Sequence, residues 1–362
     1  MPGRRLRIAQ IAPLAVTVPP AAYGGTERVI HALTEELVAR GHAVTLFAAG
    51  GSVTSAHLVA GSPRALWDMG AADTTSFRIG QVQDVVRRSS GFDVVHSHID
   101  FLPWVTGTTL RAPLLTTLHG RLHLPGYRDL FAANATQPLV SISAAQRLPL
   151  AQLNLNWVAT IHHGLADAET YRLGAGSGGY LLFLGRLSPE KGPHLAISAA
   201  IAAGMPIILA APIHEPDRAY FDRQIAPFLA HPLVDWVGEV QEARKIELLR
   251  DAVALVAPIE WDEPFGLTFI EALACGTPVI TRARGAAPEI VRDGKDGFFA
   301  TSLDELVRAC KAVRGLDRSS CRRRVIEHFT VERMVDAYEV VYHALASSSL
   351  PAGGQLMAAV GA

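Results

Sequence analysis

Short apolar runs separated by amphipathic stretches recur along the whole chain. Each run is too short for a buried helix, which favours a strand buried on both faces of a sheet. We predict strands at 6–12, 43–49, 94–98, 114–119, 139–143 and 158–162, and then at 180–185, 206–211, 234–238, 254–259 and 278–281. Helical periodicity fills many intervals; Val29, Leu33 and Leu37, for example, share one face of a predicted helix. This alternation predicts an α/β fold with parallel sheets.

A glycine-rich segment at 173–179 separates the two sets of strands. Such a segment is typical of a linker, so we predict doubly wound, Rossmann-like domains at 1–170 and 178–330. A helix is predicted at 331–346, and the small-residue tail at 347–362 is predicted to be disordered. Ligands of doubly wound sheets bind beyond the carboxyl ends of strands. The residues that follow the strands are therefore the candidates for chemistry.

Composition narrows the choice of partners. The chain has 362 residues, 49% of them hydrophobic, and a net charge of −1, which suits two domains and argues against a nucleic-acid partner. Three scattered cysteines show no metal or disulfide spacing, as is typical of a cytoplasmic protein. No long apolar run predicts a transmembrane helix. Gln10 and Pro13 interrupt the first apolar run, which favours a strand over a signal peptide.

The most informative motif follows the predicted strand at 254–259. Glu263 and Glu271 have seven residues between them, and Gly266 lies where the next helix begins. The N–H groups at a helix start lie at the positive end of its dipole and suit a diphosphate. Glu271 can accept hydrogen bonds from a ribose diol, and Glu263 lies where an attached sugar would be. The structural alternative is a pair of solvated helix glutamates.

This motif resembles the E-x7-E signature of retaining glycosyltransferases of family 4, which have the GT-B fold. The resemblance runs from Ile8 to about Leu345 and implies two Rossmann-like domains that face a cleft and close around a donor. It implies that the first domain is on the acceptor side, that the second binds the donor, and that the helix at 331–346 packs back onto the first. It implies that Glu263 is catalytic and holds the transferred sugar. The donor-binding residues implied for this turn are Phe265, Gly266, Leu267, Thr268 and Glu271.

A second motif, Gly-Arg-Leu-Ser-Pro-Glu-Lys-Gly, occupies 185–192. The Arg186 fork and the Lys191 point charge can together hold a diphosphate and offset the charge of a leaving nucleotide. A surface arginine and lysine beside a loop are the alternative. The family carries a similar motif here, which implies catalytic and donor-binding roles for both residues. The resemblance also places Gly238 and Val240 at the strand end that contacts the nucleobase.

The first half offers a Gly24-Gly25 turn and several histidines. Two glycines permit close backbone approach, and the following helix start suits an anion, although a turn without a ligand also fits. The resemblance implies that Gly25 contacts the donor, that Gly24 contacts the acceptor, and that His119 faces the donor sugar. His119 would then bond a hydroxyl or stabilise transition-state charge; a structural strand-end histidine is the alternative.

His96 and His98 alternate along one predicted strand, so they share a face. A two-histidine metal site is conceivable, but no Cys, Asp or Glu spacing completes it. We therefore predict an acceptor contact for His98 and a structural role for His96. We also interpret the cluster Arg318, Arg322, Arg323 and Arg324 as a solvated helix face.

No Asp-x-Asp sequence is present to hold a metal on a diphosphate, so we expect no metal and no cofactor. The expected activity is retaining transfer of a sugar from a nucleoside-diphosphate sugar, UDP by family frequency, to a hydroxyl of a soluble acceptor. A GT-B epimerase, a phosphorylase and a non-catalytic sugar-binding protein are the alternatives. Transient membrane contact and the oligomeric state stay open.

Overall fold

The computed structural model describes residues 4–21, 24–70, 73–166 and 168–347. They form two compact units, of which the first contains the chain up to Ala166 together with the segment from Val331, and the second the intervening segment up to Thr330. The change of unit thus lies a few residues before the predicted boundary. The predicted tail lies, from residue 348 onward, outside the described residues.

The first unit contains a parallel sheet. Its strands are β1 (Arg7–Ile11), β2 (Ala43–Ala49), β3 (His57–Ser62), β4 (Val94–Ser97), β5 (Leu114–Leu118), β6 (Leu139–Ser141) and β7 (Trp157–Thr160). In the described residues they lie in the order β3-β2-β1-β4-β5-β6-β7. The direction of winding therefore reverses between β1 and β4, where Ile8 pairs with Val94.

The second unit repeats this arrangement. Its strands are β8 (Leu181–Leu184), β9 (Ile207–Ala210), β10 (Val234–Gly238), β11 (Ala254–Ala257), β12 (Val279–Thr281) and β13 (Gly297–Phe299). They are parallel and lie in the order β10-β9-β8-β11-β12-β13 in the part of the unit that the structure describes. Here the winding reverses between β8 and β11, where Leu181 pairs with Ala254. Their side chains contribute to a buried apolar core that includes Leu181, Phe183 and Val256.

Helices connect the strands. They are α1 (Gly25–Ala39), α2 (Leu66–Met69), α3 (Thr75–Arg88), α4 (Tyr127–Ala133), α5 (Pro193–Ala203), α6 (Arg218–Tyr220), α7 (Glu242–Asp251), α8 (Leu267–Ala274), α9 (Ala287–Ile290), α10 (Leu303–Ala312), α11 (Arg318–His328) and α12 (Val331–Ala346). Short 3-10 turns lie at Ser89–Gly91, Leu102–Thr109, Ala145–Leu150, Pro189–Lys191, Glu215–Asp217, Ala226–Ala230 and Val313–Gly315, and a π-helical segment at Phe221–Ile225. Within the described ranges, no helix has both the length and the apolar character that a membrane crossing requires.

Each of the predicted strands is confirmed to within a few residues, and the two strands that the sequence did not predict lie at sheet edges. β3 borders the first sheet and β13 the second. Edge strands are less buried, so their apolar pattern is weaker: His57 of β3 is exposed, and β13 contains only Gly297, Phe298 and Phe299.

The predicted glycine-rich linker is part of the second unit. The N–H of Gly174 donates to the carbonyl of Cys275 at 2.9 Å, and that of Gly178 donates to Asp251 at 2.9 Å. A Cβ at Gly174 would lie 2.1 Å from the carbonyl oxygen of Arg250, so the segment is glycine-rich because backbone packs against backbone.

The arginine cluster of α11 is not the solvated face that we predicted. Arg318 donates to carbonyls of Gly174, Ala252 and Arg250 at 2.8 to 3.1 Å. Arg322 similarly donates to the carbonyl of Ala274 at 2.8 Å. These carbonyls lie at or beside the carboxyl ends of α7 and α8, where helical C=O groups lack intrahelical partners and a cation is favoured. Of this cluster, Arg323 is the exposed member.

Candidate active site

The loops that follow β8 and β11 form the framework of the candidate donor site in the second unit. These two strands flank the reversal of winding, which is where doubly wound sheets bind ligands. The loops are joined because the N–H of Glu260 donates to the carbonyl of Glu190 at 2.8 Å. Gly192 has a φ of 69°, and a Cβ there would lie 2.4 Å from the carbonyl oxygen of Pro258. Only glycine fits this close approach.

Lys191 and Glu263 form an ion pair between these two loops. Lys191 Nζ donates to Glu263 Oε2 at 2.5 Å, and the indole N–H of Trp261 donates to the same oxygen at 3.1 Å. The Lys191 ammonium also lies 4.8 Å from the centre of the Trp261 ring, in range of a cation–π contact. Glu263 is buried, so these donors compensate for the loss of hydration of its carboxylate.

Glu271 has a separate lysine partner that sequence reasoning missed. Lys245 Nζ donates to Glu271 Oε1 at 2.6 Å, and both side chains are buried. The Tyr171 hydroxyl lies 3.4 Å from the same oxygen and donates to Glu242 at 2.5 Å. Among the described residues the side-chain contacts of Glu271 fall on Oε1, which leaves Oε2 for a ligand. The sequence pattern that could have identified Lys245 is its position on the apolar face of α7, one turn before the buried Leu249.

Arg186 lies at the carboxyl end of β8 with two carboxylates around it. Its Nη2 donates to Glu190 Oε1 at 2.5 Å, and its Nε lies 3.2 Å from Asp217 Oδ2. Arg186 and Lys191 therefore belong to one loop but contact different acids. A diphosphate that bound both cations would replace these carboxylates as their partner.

The start of α8 carries the remaining predicted donor residues. Gly266 precedes the helix with a φ of 99°, and a Cβ there would lie 2.7 Å from the Phe269 ring. Leu267 and Thr268 occupy the first turn and are half-buried. The Phe265 ring is buried, and its centre lies 6.1 Å from that of the Phe329 ring, so the donor contact predicted for Phe265 would have to come from its backbone.

The backbone of Glu263 is held by the loop after β12. The N–H of Ala286 donates to the Glu263 carbonyl at 2.8 Å. A Cβ on Gly285, whose φ is 54°, would lie 2.3 Å from both the N and O atoms of Glu263. Gly285 thus permits the contact that positions this glutamate.

Gly238 and Val240 lie at the carboxyl end of β10, at the edge of the second sheet. Gly238 has a φ of 72°, and its carbonyl accepts the N–H of Ala211 at 2.8 Å. Val240 is half-buried. Both residues lie two strands from β8, and like the two loops they lie at the carboxyl ends of the strands.

In the first unit, Gly24 and Gly25 lie where the segment after β1 enters α1. Gly24 has a φ of 146°, and a Cβ would lie 2.8 Å from Pro20 Cβ, so this position requires glycine. Gly25 is the first residue of α1. Nearby Glu27 is buried, and burial raises the pKa of its carboxyl group.

His119 follows β5 and is joined to a buried chain of hydrogen bonds. His119 Nε2 lies 2.9 Å from His98 Nδ1, and His98 Nε2 lies 2.7 Å from Gln10 Oε1. His98 is buried, and its two ring nitrogens contact His119 and Gln10. The acceptor contact that the sequence suggested for His98 stays a prediction. Burial lowers the pKa of His119 to about 3 and that of His98 well below its ordinary value.

Two further histidines flank this pair. The His163 ring stacks on His119 with centroids 5.2 Å apart, and the His96 ring lies 4.0 Å from that of His98. His96 is buried, with Nδ1 2.7 Å from the Tyr342 hydroxyl and Nε2 2.7 Å from Thr117 Oγ1. In the described residues, no group of three or more His, Cys, Asp or Glu side chains has a geometry that would hold a metal ion.

Solved structures share this architecture over nearly the whole chain. Sucrose-phosphate synthase from Thermosynechococcus elongatus matches with a TM-score of 0.79 at 19% identity, covering 96% of this chain and 100% of that one. AviGT4, a glycosyltransferase involved in avilamycin A biosynthesis, gives 0.72 at 24% identity, covering 94% and 98%. Anabaena HepE, solved with UDP-glucose, gives 0.73 at 20% identity, covering 94% and 100%. The two units therefore have the GT-B fold.

Curated relatives match a shorter segment. The D-inositol 3-phosphate glycosyltransferases of Mycobacterium tuberculosis and Mycobacterium bovis are each 32% identical over 178 residues, which is 44% of this chain. The match spans 36%, about a third, of the length of these relatives.

Two family models match successive parts of the chain. The model described as Glycosyltransferase Family 4 matches residues 23–168, and the model described as Glycosyl transferases group 1 matches residues 175–313. Together they cover more than half of the chain. The first match ends at residue 168 and the second begins at residue 175, in the segment that connects β7 to β8. With the GT-B fold and these two matches, the chain belongs to glycosyltransferase family 4.

Proposed function

We propose that this protein transfers a sugar from a nucleoside-diphosphate sugar to an acceptor hydroxyl, with retention of anomeric configuration and without a metal. The observation that carries the proposal is the pairing of two buried glutamates with two lysines at one edge of the second sheet. Lys191 holds Glu263 and Lys245 holds Glu271. Buried carboxylates cost stability unless they are paired, and two such pairs in the segments that follow the central strands support a binding site here.

The donor is expected to bind with its ribose at Glu271, its diphosphate at the start of α8 and its sugar at Glu263. Glu271 Oε2 accepts a ribose hydroxyl, while the start of α8 receives the diphosphate. Arg186 and Lys191 add positive charge on the other side of the phosphates, and Glu263 holds the sugar. UDP is the proposed nucleotide, supported by the complexes of Anabaena HepE with UDP and with UDP-glucose.

In the proposed reaction, the acceptor hydroxyl attacks the anomeric carbon from the face that the diphosphate leaves. The bond from that carbon to the phosphate oxygen breaks, the bond to the acceptor oxygen forms, and the acceptor proton passes to the departing phosphate oxygen. Arg186 and Lys191 stabilise the negative charge that develops on the diphosphate. The Glu263 carboxylate stabilises positive charge on the sugar ring.

A thermal-shift panel of UDP-, GDP-, ADP- and dTDP-sugars would identify the donor. The chosen donor would then be incubated with alcohol acceptors, and NMR of the product would report the anomeric configuration. Release of nucleotide together with a glycoside of unchanged configuration is the expected result. A binding protein would release no nucleotide, an epimerase would alter the sugar without consuming acceptor, and a phosphorylase would require inorganic phosphate. Any of these outcomes, or an inverted product, contradicts the proposal.

A further inference from the structure

We propose that Gln10 and His98 are positioning residues that keep the proton of His119 on Nε2, so that Nδ1 presents a lone pair to a ligand hydroxyl. The role toward the ligand rests on the proposed function. The role within the protein rests on a chain of hydrogen bonds in the first unit that runs from α12 to His119.

The chain begins at Tyr342 on α12. Gln10 Nε2 donates to the Tyr342 hydroxyl at 3.0 Å, and that hydroxyl lies 2.7 Å from His96 Nδ1. Gln10 is completely buried between them on β1, and its Oε1 lies 2.7 Å from His98 Nε2. His98 Nδ1 then lies 2.9 Å from His119 Nε2.

The amide of Gln10 sets the direction of every bond that follows. Its nitrogen donates to Tyr342, so its oxygen faces His98, and a carbonyl oxygen can only accept. His98 must therefore carry its proton on Nε2. Burial keeps the His98 ring neutral by lowering its pKa, so its Nδ1 is an acceptor. His119 Nε2 must then be the donor to His98.

What remains on His119 is a single unprotonated nitrogen. Burial keeps this ring neutral as well, with a pKa of about 3, so Nδ1 has no proton. Nδ1 has no hydrogen-bond partner among the described residues. A neutral Nδ1 can only accept, so the group it selects is a hydroxyl or N–H donor. Of the two roles expected for His119, this favours binding a hydroxyl and disfavours stabilising charge as an imidazolium.

The cost of burying polar groups indicates that this chain of hydrogen bonds has a role beyond stability. Buried polar networks are costly unless every member is satisfied, and an apolar core of the same shape is often as stable. Here Gln10, His96, His98 and Tyr342 are all buried and all bonded, yet the hydrogen-bond chain ends at a nitrogen that has no partner in the described part of the protein. The satisfied part of the network thus orients the unsatisfied end.

The test reads the tautomer directly by 15N NMR of the histidine rings in the full-length protein. His119→Gln identifies the His119 signals by their loss. The wild type is expected to show His119 neutral, protonated at Nε2 and unprotonated at Nδ1. His98→Leu and Gln10→Met are expected to give a mixture of His119 tautomers. His98→Asn retains an amide oxygen that can face His119 Nε2, so it should restore the wild-type pattern.

Gln81→Met is the matched control for Gln10→Met. Gln81 is also buried in the first unit, but it donates to the carbonyls of Ala12 and Phe47 and is not part of the hydrogen-bond chain that leads to His119. It should leave the His119 tautomer unchanged. His98→Leu should reduce kcat/KM about tenfold, the effect of one misplaced hydrogen bond, while nucleotide affinity is kept.

Two results would overturn the inference: a proton on His119 Nδ1 in the wild type, or an unchanged tautomer in both His98→Leu and Gln10→Met. If one variant fails to fold, as judged by circular dichroism, the other supplies the result. The NMR measurement does not depend on sugar transfer. If the protein shows the predicted tautomers but transfers no sugar, the result would support the positioning role of Gln10 and His98 and contradict the proposed function.

Discussion

Lys245 Nζ lies 2.6 Å from Glu271 Oε1, and both side chains are buried in the second unit. The pair joins α7 to α8. A buried carboxylate without a partner is costly, so Lys245 compensates for the burial of Glu271. Lys245 also engages Oε1, so the second carboxylate oxygen is the one that we propose as the ribose acceptor.

Replacing Lys245 should therefore weaken nucleotide binding although Lys245 is not expected to touch the nucleotide. We expect Lys245→Met to lower nucleotide affinity by roughly tenfold or more, because a charged hydrogen bond contributes about 1.5–3 kcal/mol. Calorimetry with free nucleotide provides the measurement. Arg244→Met is the control, since Arg244 is an exposed neighbour paired with Glu247 at the surface. Equal affinities for both variants would remove Lys245 from the site.

The two glutamates should respond differently to substitution. Glu271→Ala removes the ribose acceptor and should weaken nucleotide binding by about 1.5–3 kcal/mol. Glu263→Gln should leave nucleotide affinity nearly unchanged and slow transfer, because its carboxylate acts on the sugar. Titration calorimetry combined with steady-state rates separates the two effects. A Glu263→Gln enzyme with weakened nucleotide affinity and normal turnover would reverse our assignment.

Gly285→Ala should be strongly destabilising and should reduce activity. The new Cβ would lie 2.3 Å from backbone atoms of Glu263, so the loop that positions this glutamate must shift. Gly294→Ala controls for backbone strain alone, because Gly294 also has a positive φ, 70°, but no atom of the described residues lies within 4 Å of the added Cβ. Urea unfolding of both proteins should show the larger loss for Gly285→Ala. A similar loss for both would mean that the contact with Glu263 has no energetic weight.

Stability should fall as the pH is lowered below about 6.5, the ordinary pKa of histidine. Burial depresses the pKa of His163, as it does those of His96, His98 and His119, so the unfolded chain takes up protons that the native protein excludes. Each such histidine lowers the free energy of unfolding by up to about 1.4 kcal/mol per pH unit between its native and unfolded pKa values. Stability from this source is complete above pH 6.5.

Urea unfolding between pH 7 and pH 5 tests this dependence. His163→Gln should flatten the pH slope by about one proton. A slope for His163→Gln equal to that of the wild type would show that His163 is not held neutral in the native state.

Sugar transfer should survive treatment with EDTA. Two cations at the carboxyl end of β8, Arg186 and Lys191, can supply the positive charge that a divalent ion would otherwise supply to the diphosphate. Initial rates with and without chelator provide the comparison, and Lys191→Met, which should lose most activity, shows that the assay detects this charge. Loss of turnover in EDTA that Mg²⁺ or Mn²⁺ restores would contradict the metal-free reaction.

The sequence by itself determined the fold class, most of the strands and the family. Strands buried on both faces are continuous apolar runs in the sequence. Turns that need glycine, such as those at Gly192 and Gly266, can be recognised from the glycine itself. These features are local, so a single stretch of chain carries them. Of the edge strands, β3 escaped detection because partial exposure weakens its apolar pattern, and β13 because it is only three residues long.

Only the tertiary structure decided which partner each polar group has. Lys245 meets Glu271 from another helix, Gln10 meets Tyr342 from the far end of the chain, and Arg318 meets backbone carbonyls that have no sequence signature at all. A hydrogen bond depends on distances of about 3 Å between groups brought together by packing. Residue type states what a side chain can donate or accept, but not what lies opposite it. The pairing of His98 with His119, and hence the lone pair on His119, is for that reason a property of the folded unit.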